Sequence, residues 1–419
     1  KIGEVVVVGG VRRSALISLS NLGDTQMRHA KSGQWWENEG QRALANNSVS
    51  YKFKPDMDTF MREWLALYES KSGERGIFNR QAAKKQASLN KRRDSEQEFG
   101  CNPCSEIILR PYQFCNLSEV VVRSSDTQQS LTNKVRLATI LGTFQSTLTD
   151  FKYLRKVWKN NTEEERLLGV SLTGIMDNAM MSGKSAHLGM NIGATLNALK
   201  EQAITTNAAM AEQLGIAQSA AITCVKPSGT VSQLVDSASG IHARHNPYYI
   251  RTVRGDNKDP LTQFMMSVGI PAEPDVMKPD STTVFSFPMK SPHGAVTRFD
   301  MTAIEQLELW LLYQRHWCEH KPSVTISVKE DEWMEVGSWV YEHFDEVSGI
   351  SFLPFSEHTY KQAPYQDCTV EEYGEMLKRM PKSIDWTWLQ DYEKEDTTSG
   401  GRELACTAGV CEVVDIAAA

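Results

Sequence analysis

Residues 100–123 read GCNPCSEIILRPYQFCNLSEVVVR, and this stretch decides the fold. It carries a Pro-interrupted turn, a short apolar strand at Ile107 to Leu109, a second turn at Pro111 and another strand at Val120 to Val122. If NPCSEI is extended, the period of two puts Asn102, Cys104 and Glu106 on one face. An amide, a thiol and a carboxylate would then converge on one small substrate. Pro103 removes a backbone donor and disfavours helix, which suits that geometry. A turn with an incidental thiol accounts for the same spacing, because cysteine is a common core residue. Cys115, beyond Pro111, can return toward Cys104 across a hairpin-like loop.

Working outward, short strands alternate with helices. Strands are expected at Val5 to Val8, Ala15 to Leu19, Ala220 to Val225, Thr282 to Phe287, Ser323 to Val328 and Ile350 to Leu353. A helix after Pro55 carries Met57, Phe60, Met61, Trp64, Leu65 and Tyr68 on one face. The polar stretch Arg80 to Glu98 reads as a helix edge or a surface loop. Further helices are expected over Leu131 to Phe151, Glu163 to Met180 with an interruption at Gly174, Ile192 to Leu214, Leu261 to Val268, Thr302 to His320 and Asp331 to Phe344. Such alternation argues for an α/β architecture with many buried parallel strands. There is no internal repeat. Glu393 to Glu403, EKEDTTSGGRE, is charged and free of apolar residues, so it reads as a mobile linker. It leads to Cys406 and Cys411, a pair at the end of a tether that suits carriage of a dithiol into a site.

Composition excludes several classes. The 419 residues are 41% apolar and 23% charged with a net charge of -7, which is ordinary globular usage. No apolar run approaches the roughly 18 residues of a membrane helix. The basic patch of Lys84, Lys85, Lys91, Arg92 and Arg93 is explained by a solvated loop as well as by a phosphate partner, so nucleic acid is not the expected partner. Eight cysteines are too dilute for a disulfide framework and no signal segment opens the chain, so a reducing cytoplasm is the expectation. A zinc site built from Cys101, Cys104, Cys406 and Cys411 has poor ligand spacing and no nearby histidine. A thioredoxin-like dithiol at Cys101 and Cys104 lacks the helix that it needs.

One more segment bears chemistry. In KPSGT, Lys226 to Thr230, Gly229 permits close backbone approach. Ser228, Thr230 and the amides opening the next helix could make an anion nest. An ordinary Ser/Thr helix cap is the alternative.

NPCSEI followed by FCNLSE resembles the active-site loop of ribonucleotide reductases. VGGVRRSALISL, NNSVSYK, GIFNR, LLGVSLTGIMD, CVKPSGTVSQL, SGIHARHNPYYIRTVR and WCEHKPSVTISV resemble companion segments of the adenosylcobalamin-dependent class II branch, in family order. LACTAGVCEV is most similar to the monomeric ribonucleoside-triphosphate reductases of that branch. The resemblance implies a ten-stranded α/β barrel with a central finger loop, here without its first strands. The barrel would occupy residues 1–390 and a flexible redox tail residues 391–419.

It also implies roles. Cys104 matches the thiyl-radical cysteine that abstracts the ribose 3′ hydrogen, Glu106 the carboxylate that takes the 3′-OH proton, and Asn102 the amide that orients the sugar hydroxyls. Cys115 matches one half of the reducing dithiol. Pro227, Ser228, Gly229, Thr230 and Val231 match the substrate-phosphate loop, and Cys406 and Cys411 the shuttle pair re-reduced by thioredoxin or a similar donor. His242 and His245 could line the cofactor cavity, without a firm role. The cofactor implied is adenosylcobalamin and no metal site is expected. The substrate is a ribonucleoside triphosphate, with the diphosphate as the near alternative and a zinc-binding interaction protein as the distant one. The family's second dithiol cysteine lies upstream of VGGVRRS, so a missing N-terminal portion of the same enzyme is an expected partner.

Overall fold

A computed structural model describes residues 7, 8, 11, 12, 15–184, 191–229, 231–276, 278–355 and 362–393. Three parallel strands, Asn116–Val121, Leu168–Thr173 and Thr223–Cys224, form one sheet in that order. A second sheet of five strands runs Thr325–Val328, Gly349–Pro354, Gly76–Asn79, Asn46–Tyr51 and Ile17–Ser20. Within it the first two are parallel to each other and the last three are parallel to each other. The two groups meet antiparallel where Gly349 pairs with Phe78.

A single parallel bridge between Val225 and Pro322 joins the two sheets into one run. There the Ser323 amide donates to the Val225 carbonyl at 2.8 Å. A separate antiparallel sheet holds Ala272–Pro274, Thr282–Lys290, Tyr248–Asp256 and Tyr365–Asp367. The α/β class is as expected. One closed ten-stranded barrel is not formed among the described residues, whose sheets have two to five strands.

Helices cover the strands because their apolar stripes fit them. Met57–Ser70 starts at Asp56, whose carboxylate accepts the Thr59 amide at 2.8 Å. It buries Phe60, Trp64 and Leu67, while Met57, Met61 and Leu65 are exposed. The expected face was therefore rotated, because two apolar stripes run side by side and only the one repeating at 60, 64 and 67 meets the sheet. Ala303–His316 has a capping box of Thr302 and Glu305 and brings in Trp310 and Tyr313, both fully buried. The Trp310 indole donates to the Pro322 carbonyl at 2.8 Å, and that of Trp317 to the Cys224 carbonyl at 2.7 Å. These two rings hold the joint between the sheets.

The helix expected over Glu163 to Met180 is instead a helix end, a strand and a short 3-10 helix, Ile175–Asp177. Lys156–Glu165 is helical, Arg166 turns the chain at φ 45°, and Leu168–Thr173 is a strand buried at every position. A short apolar run buried on both faces has no period that separates strand from helix. The Gln128–Gln145 and Ile192–Leu214 helices lie close to expectation. Arg80–Ser88 is helical, capped by Asn79, within the stretch that read as helix edge or loop. Tyr248–Asp256 is a strand that the motif reading left without a structure.

Gly174 ends Leu168–Thr173 at φ 78°, and a Cβ there would collide with the Val122 carbonyl oxygen. Gly174→Ala is expected to lower unfolding free energy by more than about 1 kcal/mol, read from the midpoint of urea denaturation at unchanged slope.

Candidate active site

The chain from Asn102 to Ser105 is a tight turn, in which the Ser105 amide donates to the Asn102 carbonyl at 2.8 Å and Ser105 is left-handed at φ 67°. The single extended face expected for Asn102, Cys104 and Glu106 is therefore corrected. Pro103 at the second position of a turn is favourable, and the same residue that argued against helix argued equally for this bend. The Asn102 Oδ1 accepts the Ile107 amide at 3.0 Å, bracing the turn from within.

Four outside contacts fix it. The Asn46 Nδ2 donates to the Pro103 carbonyl at 2.8 Å and the Ser323 Oγ to the Cys104 carbonyl at 2.5 Å. The Lys321 Nζ donates to the Ser105 Oγ at 2.7 Å and its backbone amide to the Glu106 carbonyl at 3.3 Å. His320, wholly buried, accepts the Ile108 amide at Nδ1 (3.3 Å) and donates from Nε2 to the Leu168 carbonyl (2.9 Å). Those partners require the neutral ring, and burial lowers its pKa to about 3.

Behind the turn, Glu106 has no exposed surface and is paired with the Lys226 Nζ at 3.1 Å. Burial works against the Lys226 charge, but the Glu106 carboxylate and the Cys104 thiol hold its pKa above the ordinary lysine value. Burial and the same carboxylate push the Cys115 thiol up, with Arg93 opposing. Cys115 packs with Leu109 against Leu167, Ala220 and Ala221. A cation, a carboxylate and two thiols thus lie within electrostatic reach of one another.

Cys104 is half-buried and lines a cavity together with Pro103, Ser105, Pro227, Gly229 and His242. The KPSGT loop and the thiol therefore share one space. Within that loop the Ser228 Oγ accepts the Ser232 amide at 3.0 Å, so this side chain is a helix cap while Pro227 and Gly229 form the wall. Val231 opens the four-residue helix Val231–Leu234 and is partly exposed. The His242 ring also borders a second cavity, which His245 lines with Arg244, Tyr249 and Arg298. Its Nδ1 donates to the Ser239 carbonyl at 3.0 Å and its Nε2 accepts the Thr325 amide at 3.1 Å.

The structure brings Cys104, Glu106, Cys115, Pro227 and Gly229 together, and the Asn102 Oδ1 accepts the Ile107 amide within the adjoining turn. Thr230, Cys406 and Cys411 lie outside the described residues. Sequence reasoning missed Lys321, His320 and Ser323, and gave Lys226 no part of its own. The available signal was the charged and polar triplet Glu319-His320-Lys321 set between Trp317-Cys318 and the strand expected at Ser323 to Val328.

No family model matches the chain. It is 26% identical over 447 residues to the adenosylcobalamin-dependent ribonucleoside-triphosphate reductase of Lacticaseibacillus paracasei, covering 98% of this chain and 58% of the relative. The enzyme of the same name from Euglena gracilis is 27% identical over 392 residues, covering 91% of this chain and 51% of the relative. The chain thus spans little more than half the length of these relatives. Among solved structures, a B12-dependent class II ribonucleotide reductase superposes with a TM-score of 0.72 at 21% identity, over 91% of this chain and 56% of that one. The α subunit of an Actinobacillus ureae class Id ribonucleotide reductase gives 0.54 at 11% identity, over 83% and 72%. The family resemblance carried by the motifs is borne out along nearly the whole chain.

Burial lowers the Lys321 pKa to about 8, with Cys101 and Glu106 opposing. Between that value and about 10.4 the unfolded chain binds more protons than the folded one, so this group makes stability rise with pH. Denaturation midpoints of the wild type minus those of Lys321→Met should climb from pH 8 to about pH 10 and be flat below it.

Proposed function

We propose that this chain carries the radical site of an adenosylcobalamin-dependent ribonucleoside-triphosphate reductase. The observation that carries the reading is Cys104 at a cavity it shares with Pro227 and Gly229, with the buried Glu106 paired to the half-buried Lys226 behind it.

The chemistry then falls to these residues in order. The Cys104 thiyl takes the 3′ hydrogen of the ribose, and Glu106 accepts the 3′-OH proton as the 2′-OH departs as water. Cys115 and a second thiol are oxidised to a disulfide, supplying two electrons, and Cys104 returns its hydrogen to C3′. Pro227 and Gly229 approach the triphosphate, which the relatives' names favour over the diphosphate. Lys226 places its charge 3.1 Å from the Glu106 carboxylate, next to the reacting hydroxyl. Cys406 and Cys411 would re-reduce the dithiol and pass the oxidation to thioredoxin or a similar donor.

Adenosylcobalamin, when bound, supplies the homolysis that generates the radical on Cys104. The cavity fits such a group in character: Ile17, Ile77, Val324 and Leu353 offer apolar walls, and Asn46, Asn47, Ser48 and Ser72 offer hydrogen-bonding edges. Those residues would hold an apolar macrocycle rimmed by amides.

The finer architecture belongs to the same reading. The joined sheets would be the greater part of a ten-stranded barrel with the 102–105 turn as its finger loop. Residues 1–390 would form the catalytic unit and 391–419 the redox tail. An N-terminal portion would contribute the thiol opposite Cys115, and the enzyme would work in the cytoplasm. No described helix is long and apolar enough to cross a membrane. No observation favours the zinc-binding alternative.

Assayed with a ribonucleoside triphosphate, adenosylcobalamin and a dithiol, the protein bearing this chain should form 2′-deoxynucleotide. Cys104→Ser should form none and still bind nucleotide, whereas Cys406→Ser should complete one turnover and fail to recycle with thioredoxin. Deoxynucleotide formation by Cys104→Ser would refute the reading.

A further inference from the structure

Lys321 has no exposed surface, yet it carries an amine. Burying an ammonium costs several kcal/mol, and a well-packed apolar side chain of similar volume is commonly as stable or more so. Stability alone therefore does not account for a lysine at this position.

Its surroundings are built for the amine. The Nζ donates to the Ser105 Oγ at 2.7 Å and lies 5.7 Å from the Phe78 ring centre. Gly349 packs against it so closely that a Cβ would overlap the Nζ. Gly349 is absent from the left-handed glycines, so the missing side chain serves the lysine and not the backbone. Beyond the amine, the Ser105 Oγ donates to the Cys101 Sγ at 3.3 Å. The chain Lys321, Ser105, Cys101 therefore runs across the base of the turn that presents Cys104. Ser105 is the left-handed residue of that turn, a conformation that is unfavourable for a non-glycine residue and persists only where its surroundings fix it.

We propose that Lys321 is a positioning residue for Cys104: its buried amine holds Ser105 in the left-handed conformation, and so fixes the thiol at its place in the cavity. For catalysis this rests on the reductase reading; for the geometry of Cys104 it does not.

The test has two arms on the intact protein that bears this chain, N-terminal portion included. Iodoacetamide alkylation of Cys104 at pH 7, resolved from Cys101 by fragment mass spectrometry, should be about tenfold faster in Lys321→Met and in Ser105→Ala. The double variant should be no faster than either single one, with Cys368 as an unchanged internal reference. In the turnover assay both variants should lose about a hundredfold in kcat while KM for the triphosphate stays within about twofold.

Unchanged alkylation rates, or rates that multiply in the double variant, would overturn the proposal. If Lys321→Met does not fold, Ser105→Ala alone carries both readouts and an unchanged Cys104 overturns the proposal. A wild type that reduces no nucleotide, with accelerated alkylation in the variants, would sink the reductase reading and sustain the positioning role.

Discussion

Glu106 is a carboxylate with no exposed surface, and the site is organised around keeping it there. A buried anion requires a nearby cation and hydrogen bonds, or it neutralises. Lys226 answers that need from the strand-to-helix junction after Thr223–Cys224, which fixes where the KPSGT wall stands relative to the turn. Burial and then the Glu106 carboxylate push the Cys115 thiol up, with Arg93 and Lys226 opposing, so this thiol stays protonated. The Glu106 carboxylate thus faces both the KPSGT segment, through Lys226, and the Cys115 thiol.

The second organising element is the segment from Trp317 to Ser323. Trp317 anchors on the Cys224 carbonyl, and Glu319 accepts the Ile222 amide and pairs with Arg92. His320, Lys321 and Ser323 each reach a different residue of the stretch 104–108. This segment therefore grips the three-stranded sheet and the 102–105 turn at once. The Val225–Pro322 bridge lies in the middle of this segment, which is why the two sheets join there.

Much of this was legible in the sequence. Long amphipathic or well-capped helices such as Ile192–Leu214 and Ala303–His316 announce themselves by period and end signals, and NPCSEI with KPSGT marks two segments that meet at one cavity. Leu168–Thr173 did not read as a strand because burial on both faces erases the alternation that identifies one. The bend at Ser105 was hidden because a left-handed serine is fixed by Lys321, far away in sequence, and not by local propensity. Lys321 itself read as one more charged residue, since nothing local marks a lysine whose partners come from other strands.

The contacts that hold the Cys104 turn come from the whole length of the chain. Asn46 is 57 positions away from Pro103, and Ser323 is 219 away from Cys104. Contacts this remote in sequence form late and slowly in folding, after the entropy of closing long loops has been overcome. A chain still being synthesised or partly proteolysed has the thiol but not its mounting. The assembly order therefore acts as a safeguard, because the Cys104 thiol gains its place in the cavity only when the remote segments that hold it are in position.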